Sequence, residues 1–236
     1  ASFYEQELKK ASSVFVVSEA LRVELAQRWH IEATVVPNGA SISEIRGVLP
    51  EEVKHLRARL GLGELFVFGY IGGMDQFIDV PMVLRAFEEV QRSAPNSALL
   101  WIGDGDVFRA HESLNAQWEQ RRVRFLGPVP VEQSARYLGL FDAGLIPKVV
   151  SPFTHAMMPL KSVEYGAARL PVIATPLAEL ARLRFPNVDL VPADSDLWAQ
   201  AMLRVLREPL AWLKPWDALY ESYDWSHLAA MIEARL

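Results

Sequence analysis

The residues best placed to do chemistry are Lys161 and Glu164, set three apart within the run MMPLKSVEYGAARLPVIATP, Met157 to Pro176. Pro159 suits the first turn of a helix, where its missing N–H would find no partner in any case. The amides that follow, around Leu160 and Lys161, then point out of the helix start. With the helix dipole they form an anion site, to which Lys161 adds a full positive charge. A cation at a helix start is locally unfavourable by roughly 0.3 kcal/mol, so an anion such as a diphosphate would give it a purpose. Glu164, one turn further on, can accept two hydroxyl hydrogen bonds, as from a ribose. The same spacing also serves a plain i, i+3 salt bridge worth roughly 0.2–0.5 kcal/mol. The residues alone leave both readings open.

Three further loops stand beside this one. Gly72 and Gly73 follow the apolar run Leu65–Ile71. Paired glycines let backbone N–H groups approach an anion, and they also make an ordinary strand-end turn. Ile102-Gly103-Asp104-Gly105-Asp106 resembles part of a dinucleotide fingerprint but lacks the third glycine, since Phe108 holds that place. Asp104 and Asp106 read first as turn formers and only second as metal ligands. Gly127, Pro128 and Val129 lie in a loop stiffened by two prolines, which either presents backbone groups to a flat base or serves as a rigid connector. Lys148 ends an apolar run and points toward the same rim as His155. His30 and His55 read as surface residues of helices, and His227, after Trp225 and Ser226, as a cap or packing residue.

Elements that could position these loops follow from periodicity. Short runs rich in Val, Ile, Phe and Leu read as strands: Val14–Val17, Thr34–Val36, Leu65–Ile71, Ala98–Ile102, Val123–Leu126, Ala143–Ile146, Pro171–Ala174 and Asp189–Val191. Between them the pattern predicts helices over Glu19–Trp29, Pro50–Leu60, Val80–Arg92, Val107–Arg121, Val131–Leu140, Leu160–Ala168, Asp194–Arg207 and Ser226–Leu236. This alternation specifies the α/β class, with a doubly wound, Rossmann-like parallel sheet. A boundary falls near Pro37-Asn38-Gly39. The segment before it, 1–37, is too small to close a core of its own. The late tryptophans, Trp198, Trp212, Trp216 and Trp225, read as a packed carboxyl-terminal region.

Composition narrows the function. The 236 residues carry 24 Lys+Arg against 29 Asp+Glu, a net charge of −5 that disfavours a nucleic-acid partner. With no cysteine there is no disulfide, thiolate metal site or cysteine nucleophile. No run approaches the ~18 apolar residues of a membrane span, and the start lacks the charged and apolar segments of a signal peptide. The expected location is the cytoplasm.

Taken in order, these loops resemble the carboxyl-terminal half of retaining glycosyltransferases of the GT-B fold, the large family 4 type. SSVFVVSEALRVEL, VVPNGASI, FGYIGGMDQFIDVPMVLRAFEEV, LLWIGDGD, VRFLGPVPVEQSARYLGLFDAGLIPK and the Met157–Pro176 run carry the likeness, and YDWSHLAAMIEARL is similar to the closing helix. The Pro-x-Lys-x-x-Glu-Tyr pattern is most like members of surface-polysaccharide assembly. The resemblance implies three parts: 1–37, the end of an N-terminal domain and the crossover; 38–215, a nucleotide-sugar-binding domain; and 216–236, a helix packing back toward the first domain. It implies a nucleoside-diphosphate sugar as donor, no metal and no separate cofactor. The acceptor would be a saccharide or a lipid-linked sugar held by the N-terminal domain, which would also bring any peripheral association with the inner face of a membrane.

Carried over by residue, the resemblance places Glu164 on the donor ribose and Leu160 and Lys161 on the diphosphate. Gly72 and Gly73 would approach the donor phosphates or the acceptor, and Gly127, Pro128 and Val129 would flank the base. His155 would stand near the transferred sugar and act with Lys161 in catalysis. The chain departs from the family pattern at Gly73 and Ile78, where cations are usual, at Ala156, where a first glutamate is usual, and at Arg169, where a glycine ends the helix. Those departures keep a non-catalytic nucleotide-binding module as the alternative.

Overall fold

A computed structural model describes residues 3–112, 122–212 and 217–235. Eight strands occur among them: β1 (Phe15–Val16), β2 (Thr34–Val35), β3 (Phe66–Ile71), β4 (Ser97–Ile102), β5 (Val123–Phe125), β6 (Ala143–Ile146), β7 (Val172–Ala174) and β8 (Val188–Leu190). The last six form one parallel sheet in the order β5-β4-β3-β6-β7-β8. The winding direction reverses between β3 and β6, and ligands of open α/β sheets bind beyond the strand ends at such a point.

Helices cover both faces, so the inner strands must be largely apolar. β4, β6 and β7 are buried along their whole length. On one face the helices Val80–Ser93 and Ser195–Arg207 pack over Phe68, Leu99 and Trp101. On the other, the helix Leu160–Ala167 covers Val67, Leu100 and Ile102. Each starts where a local signal predicts. Asp79 accepts a hydrogen bond from the Met82 amide at 3.0 Å, and Asp194 caps the later helix in the same way.

The amino-terminal segment forms its own small parallel pair, β1 with β2, beside the helix Glu19–Trp29. Ser18 fastens this unit to the main body. Its buried hydroxyl accepts from the Leu21 amide at 3.2 Å and donates to the Ala156 carbonyl at 2.6 Å. At the other end, the helix Trp225–Glu233 leads to Arg235, whose guanidinium donates to Thr34 and whose carbonyl accepts from Ser13. The chain after Gly39 is tied in through Ala40, which exchanges backbone hydrogen bonds with Tyr223 and Trp225.

Several helices appear where periodicity predicts none: Ile42–Arg46, Pro152–His155, Ala178–Leu183 and Asp217–Glu221. Each is too short to show an apolar stripe. Pro152–His155 is held by a reciprocal capping box between Ser151 and Thr154. The helix expected at Val131–Leu140 begins as a 3₁₀ turn, Val131–Gln133, before Ser134–Leu138. The helix expected at Val107–Arg121 is seen as Asp106–Glu112, and its remainder lies outside the described residues, as does Trp216.

Candidate functional site

The carboxyl ends of β3, β4 and β5 are laced together through their backbones. The Gly72 amide donates to the Ile102 carbonyl at 2.9 Å, the Met74 amide to Asp104 at 2.8 Å, and the Gly103 amide to Gly127 at 2.8 Å. Gly103 has φ +139°, and a Cβ there would sit 1.9 Å from the Gly72 carbonyl oxygen. No side chain fits that approach. At Gly72, also at positive φ, a Cβ would meet the Lys161 Cε at 3.1 Å, so the lysine stem passes over this glycine. The space above Gly73 is open.

Lys161 and Glu164 lie on the first turns of the helix Leu160–Ala167, which Pro159 precedes without any side-chain cap. Their charged groups are 2.5 Å apart and partly buried. The salt bridge allowed by the spacing is therefore formed, at the same place where the lysine crosses the glycine loop. Tyr165, the next residue, fixes this helix against the sheet. Its buried hydroxyl accepts from the Ile71 amide at 3.3 Å. Further along, a Cβ at Gly166 would fall 1.9 Å from the Tyr220 ring, so the two segments interlock. Tyr220 in turn donates to the Asn187 side chain, which holds the Leu170 carbonyl.

Tyr70 is buried beneath the glycine loop. Its hydroxyl donates to the Gly73 carbonyl at 2.7 Å. Burial raises its pKa well above the ordinary phenol value, and the nearby carboxylates of Asp75 and Glu164 add to that. Burial does the same to Tyr165. Both therefore act as neutral hydrogen-bonding groups. Asn38 braces the chain just before the helix, donating from Nδ2 to the Met158 carbonyl at 2.7 Å.

The remaining expected residues fall at varied distances from this centre. Leu160 opens the helix and is half-buried. Gly127 is buried in the laced loops, Pro128 is exposed, and Val129 packs on the core. His155 lies at the end of a short helix, where its Nδ1 accepts from the Ala178 amide at 3.0 Å. That bond leaves Nε2 as the free face of the ring. Asp104 and Asp106 both pair with Arg109, at 2.8 and 2.6 Å, which fits their reading as turn residues. Among the described residues, no group of three or more His, Asp or Glu could hold a metal ion. His30 takes a left-handed conformation as the cap of Glu19–Trp29. Arg169 is likewise left-handed, at φ +58°, and grips Asp217 through Nε and Nη2. A cavity of about 850 Å³ lies at the opposite end of the sheet, lined by residues such as Phe66 and Asp142. Size alone is a poor guide here, because a site at the strand ends is open to solvent along one side.

Residues 66–208 match the sequence profile of the family described as glycosyl transferases group 1. The chain belongs to this family. Among curated relatives in Bacillus subtilis (strain 168), two proteins assigned as teichuronic acid biosynthesis glycosyltransferases stand out. TuaH is 30% identical over 53% of this chain and 30% of its own length. TuaC is 27% identical over 93% of this chain and 53% of its own. The group 1 chain thus spans about half or less of these relatives. Among solved structures, Anabaena Alr3699/HepE in complex with UDP superposes with a TM-score of 0.78 at 18% identity, covering 98% of this chain and 67% of that one. Sucrose-phosphate synthase from Thermosynechococcus elongatus gives 0.74 at 22%, covering 98% and 59%. The architecture is that of the carboxyl-terminal, Rossmann-like domain of GT-B glycosyltransferases.

Sequence reasoning missed Tyr70, Tyr165 and Asn38 as residues that hold the glycine loop and the start of Leu160–Ala167 in place. Tyr165 stands inside the singled-out motif, and Asn38 inside the Pro-Asn-Gly turn. What hid Tyr165 and Asn38 is that each works through a contact distant in sequence, whereas Tyr70 bonds Gly73 only three residues on.

Proposed function

We propose that this chain is the donor-binding part of a retaining glycosyltransferase that moves a sugar from a nucleoside-diphosphate sugar to a saccharide or lipid-linked acceptor. One observation carries the reading: the uncapped start of Leu160–Ala167 brings Lys161 over Gly72 at the point where the sheet order reverses. An arriving donor would open the Lys161–Glu164 pair. The lysine would turn to the diphosphate and the glutamate to the ribose hydroxyls. That exchange is feasible because a partly exposed ion pair contributes only about 0–1 kcal/mol. As the bond to the sugar breaks, positive charge grows on the ring and negative charge on the leaving diphosphate. Lys161 and the helix amides then stabilise the leaving group electrostatically. His155 would face the transferred sugar. Gly72 and Gly73 would line the phosphates, and the backbone of Gly127, Pro128 and Val129 the base.

The likeness to UDP-bound HepE supports a nucleotide donor, and the teichuronic acid relatives support polysaccharide assembly. On this reading the acceptor is held by an N-terminal domain of which 1–37 is the end, and the helix in 216–236 packs back toward that domain. The chain alone is expected to bind donor without transferring sugar.

A second reading, a non-catalytic nucleotide-binding module, is favoured by Ala156, which offers no carboxylate and whose carbonyl is already taken by Ser18. Sugar transfer by the full-length parent protein separates the two. The site itself is tested by calorimetric titration of Glu164→Ala and Lys161→Ala with a nucleoside diphosphate and its parent nucleoside. Lys161→Ala should weaken the diphosphate more than the nucleoside. Wild-type affinity for the diphosphate in both variants would refute the site.

A further inference from the structure

Beyond β3 and β6 the chain zips into a short antiparallel bridge. Ile78 pairs with Lys148. The Val149 amide donates to the Phe77 carbonyl at 2.8 Å, and the Asp79 amide to the Pro147 carbonyl at 2.8 Å. The Lys148 carbonyl accepts from the Thr175 hydroxyl at 2.8 Å, so its backbone is fixed on both sides. The side chain has no such anchor. Among the described residues its ammonium has neither a hydrogen-bond partner nor an ion pair. Burial lowers its pKa, and the Asp75 carboxylate acts against that from beyond ion-pair distance. A half-buried cation without a direct partner is unfavourable unless an anion visits it.

β3 and β6 pair in register, Phe68 with Ala143 and Gly69 with Gly144, so Lys148, two residues past β6, lies level with Gly73, two residues past β3. Asp75 acts on both Lys148 and Tyr70, and Glu164 acts on Tyr70 while pairing with Lys161. Lys161 crosses Gly72 from the helix side, and Lys148 leaves the sheet level with the open position Gly73, so the fold brings both lysines to this one loop. A diphosphate carries two charged groups, and one lysine with the helix amides serves the group nearer the ribose. We propose that Lys148 contacts the distal phosphate of the bound nucleoside diphosphate. This inference rests on the donor-site reading above.

The test compares wild type, Lys148→Gln and Lys148→Arg by titration calorimetry. The ligands are the nucleoside, monophosphate and diphosphate of whichever of uridine, guanosine and adenosine wild type accepts. Thermal unfolding checks that each variant is folded. Lys148→Gln should lose about 10-fold in diphosphate affinity and less than about twofold for monophosphate and nucleoside. Lys148→Arg should restore most of the loss. Equal diphosphate affinity in Lys148→Gln, or an equal loss for all three ligands, overturns the inference. If wild type binds none of the three diphosphates, the donor site itself falls and takes this assignment with it.

Discussion

Where β3, β4 and β5 end, backbone holds backbone; where β6 gives way to Leu160–Ala167, side chains do the holding. The first half of the rim has Gly103 pressed on Gly72, with no room for a methyl group. The second half has Lys161 and Glu164, a partly exposed ion pair, and Tyr165, whose buried hydroxyl holds the helix to Ile71. A wall of amides offers fixed donors and little adjustment. A helix start with charged residues offers charge that can be redirected when a ligand arrives. The two halves should therefore respond differently to substitution, one in stability and the other in binding.

The strongest break in that comparison is Gly103→Ala. Its methyl would meet the Gly72 carbonyl at 1.9 Å in a left-handed conformation. It should destabilise the fold by at least about 3 kcal/mol, read from urea unfolding. A loss under about 1 kcal/mol would mean the laced loops yield easily. Next comes Glu164→Ala, which should lower diphosphate affinity about 10- to 150-fold by removing charge-assisted bonds to hydroxyls. Its unfolding free energy should move by less than about 1 kcal/mol, because the pair is partly exposed. A large stability change with unaltered binding would recast this half as structural.

Tyr165→Phe sharpens the contrast within the side-chain half. It strands the buried Ile71 amide and should cost about 1–2 kcal/mol in urea unfolding. Donor affinity should fall only through the shift of the helix. The smallest effect is expected at Arg169→Gly. Glycine relieves the left-handed strain, about 1 kcal/mol, while the exposed grip on Asp217 is lost, about 0.5–1 kcal/mol. The net change in thermal or urea stability should stay within about 0.5 kcal/mol. A loss above 2 kcal/mol would show that Asp217 anchors far more than this helix end.

Some of this was readable from residues alone. Buried parallel strands have to be short continuous apolar runs, so Leu65–Ile71 and Ala143–Ile146 announce β3 and β6. Pro159 followed by Lys161 and Glu164 likewise marks a helix start with charge at one end. The state of that charge was not readable, because spacing permits the ion pair and the anion site equally. Nor were the tie from Tyr165 to Ile71 or the bridge from Ile78 to Lys148, since both join segments about 70 or more residues apart through tertiary packing. Helices such as Pro152–His155 escaped because one turn carries no period.

The interlock between Gly166 and Tyr220 has an evolutionary consequence. With a Cβ at 166 falling 1.9 Å from the Tyr220 ring, position 166 cannot take a side chain while the ring stays, unless the helix that presents Lys161 is displaced. Among descendants of this sequence the two sites should trade volume: a larger residue at 166 only where 220 has lost its ring, and the aromatic retained wherever glycine is. The direction in which a lysine points at one end of the helix is thereby inherited through a pair of residues at its other end.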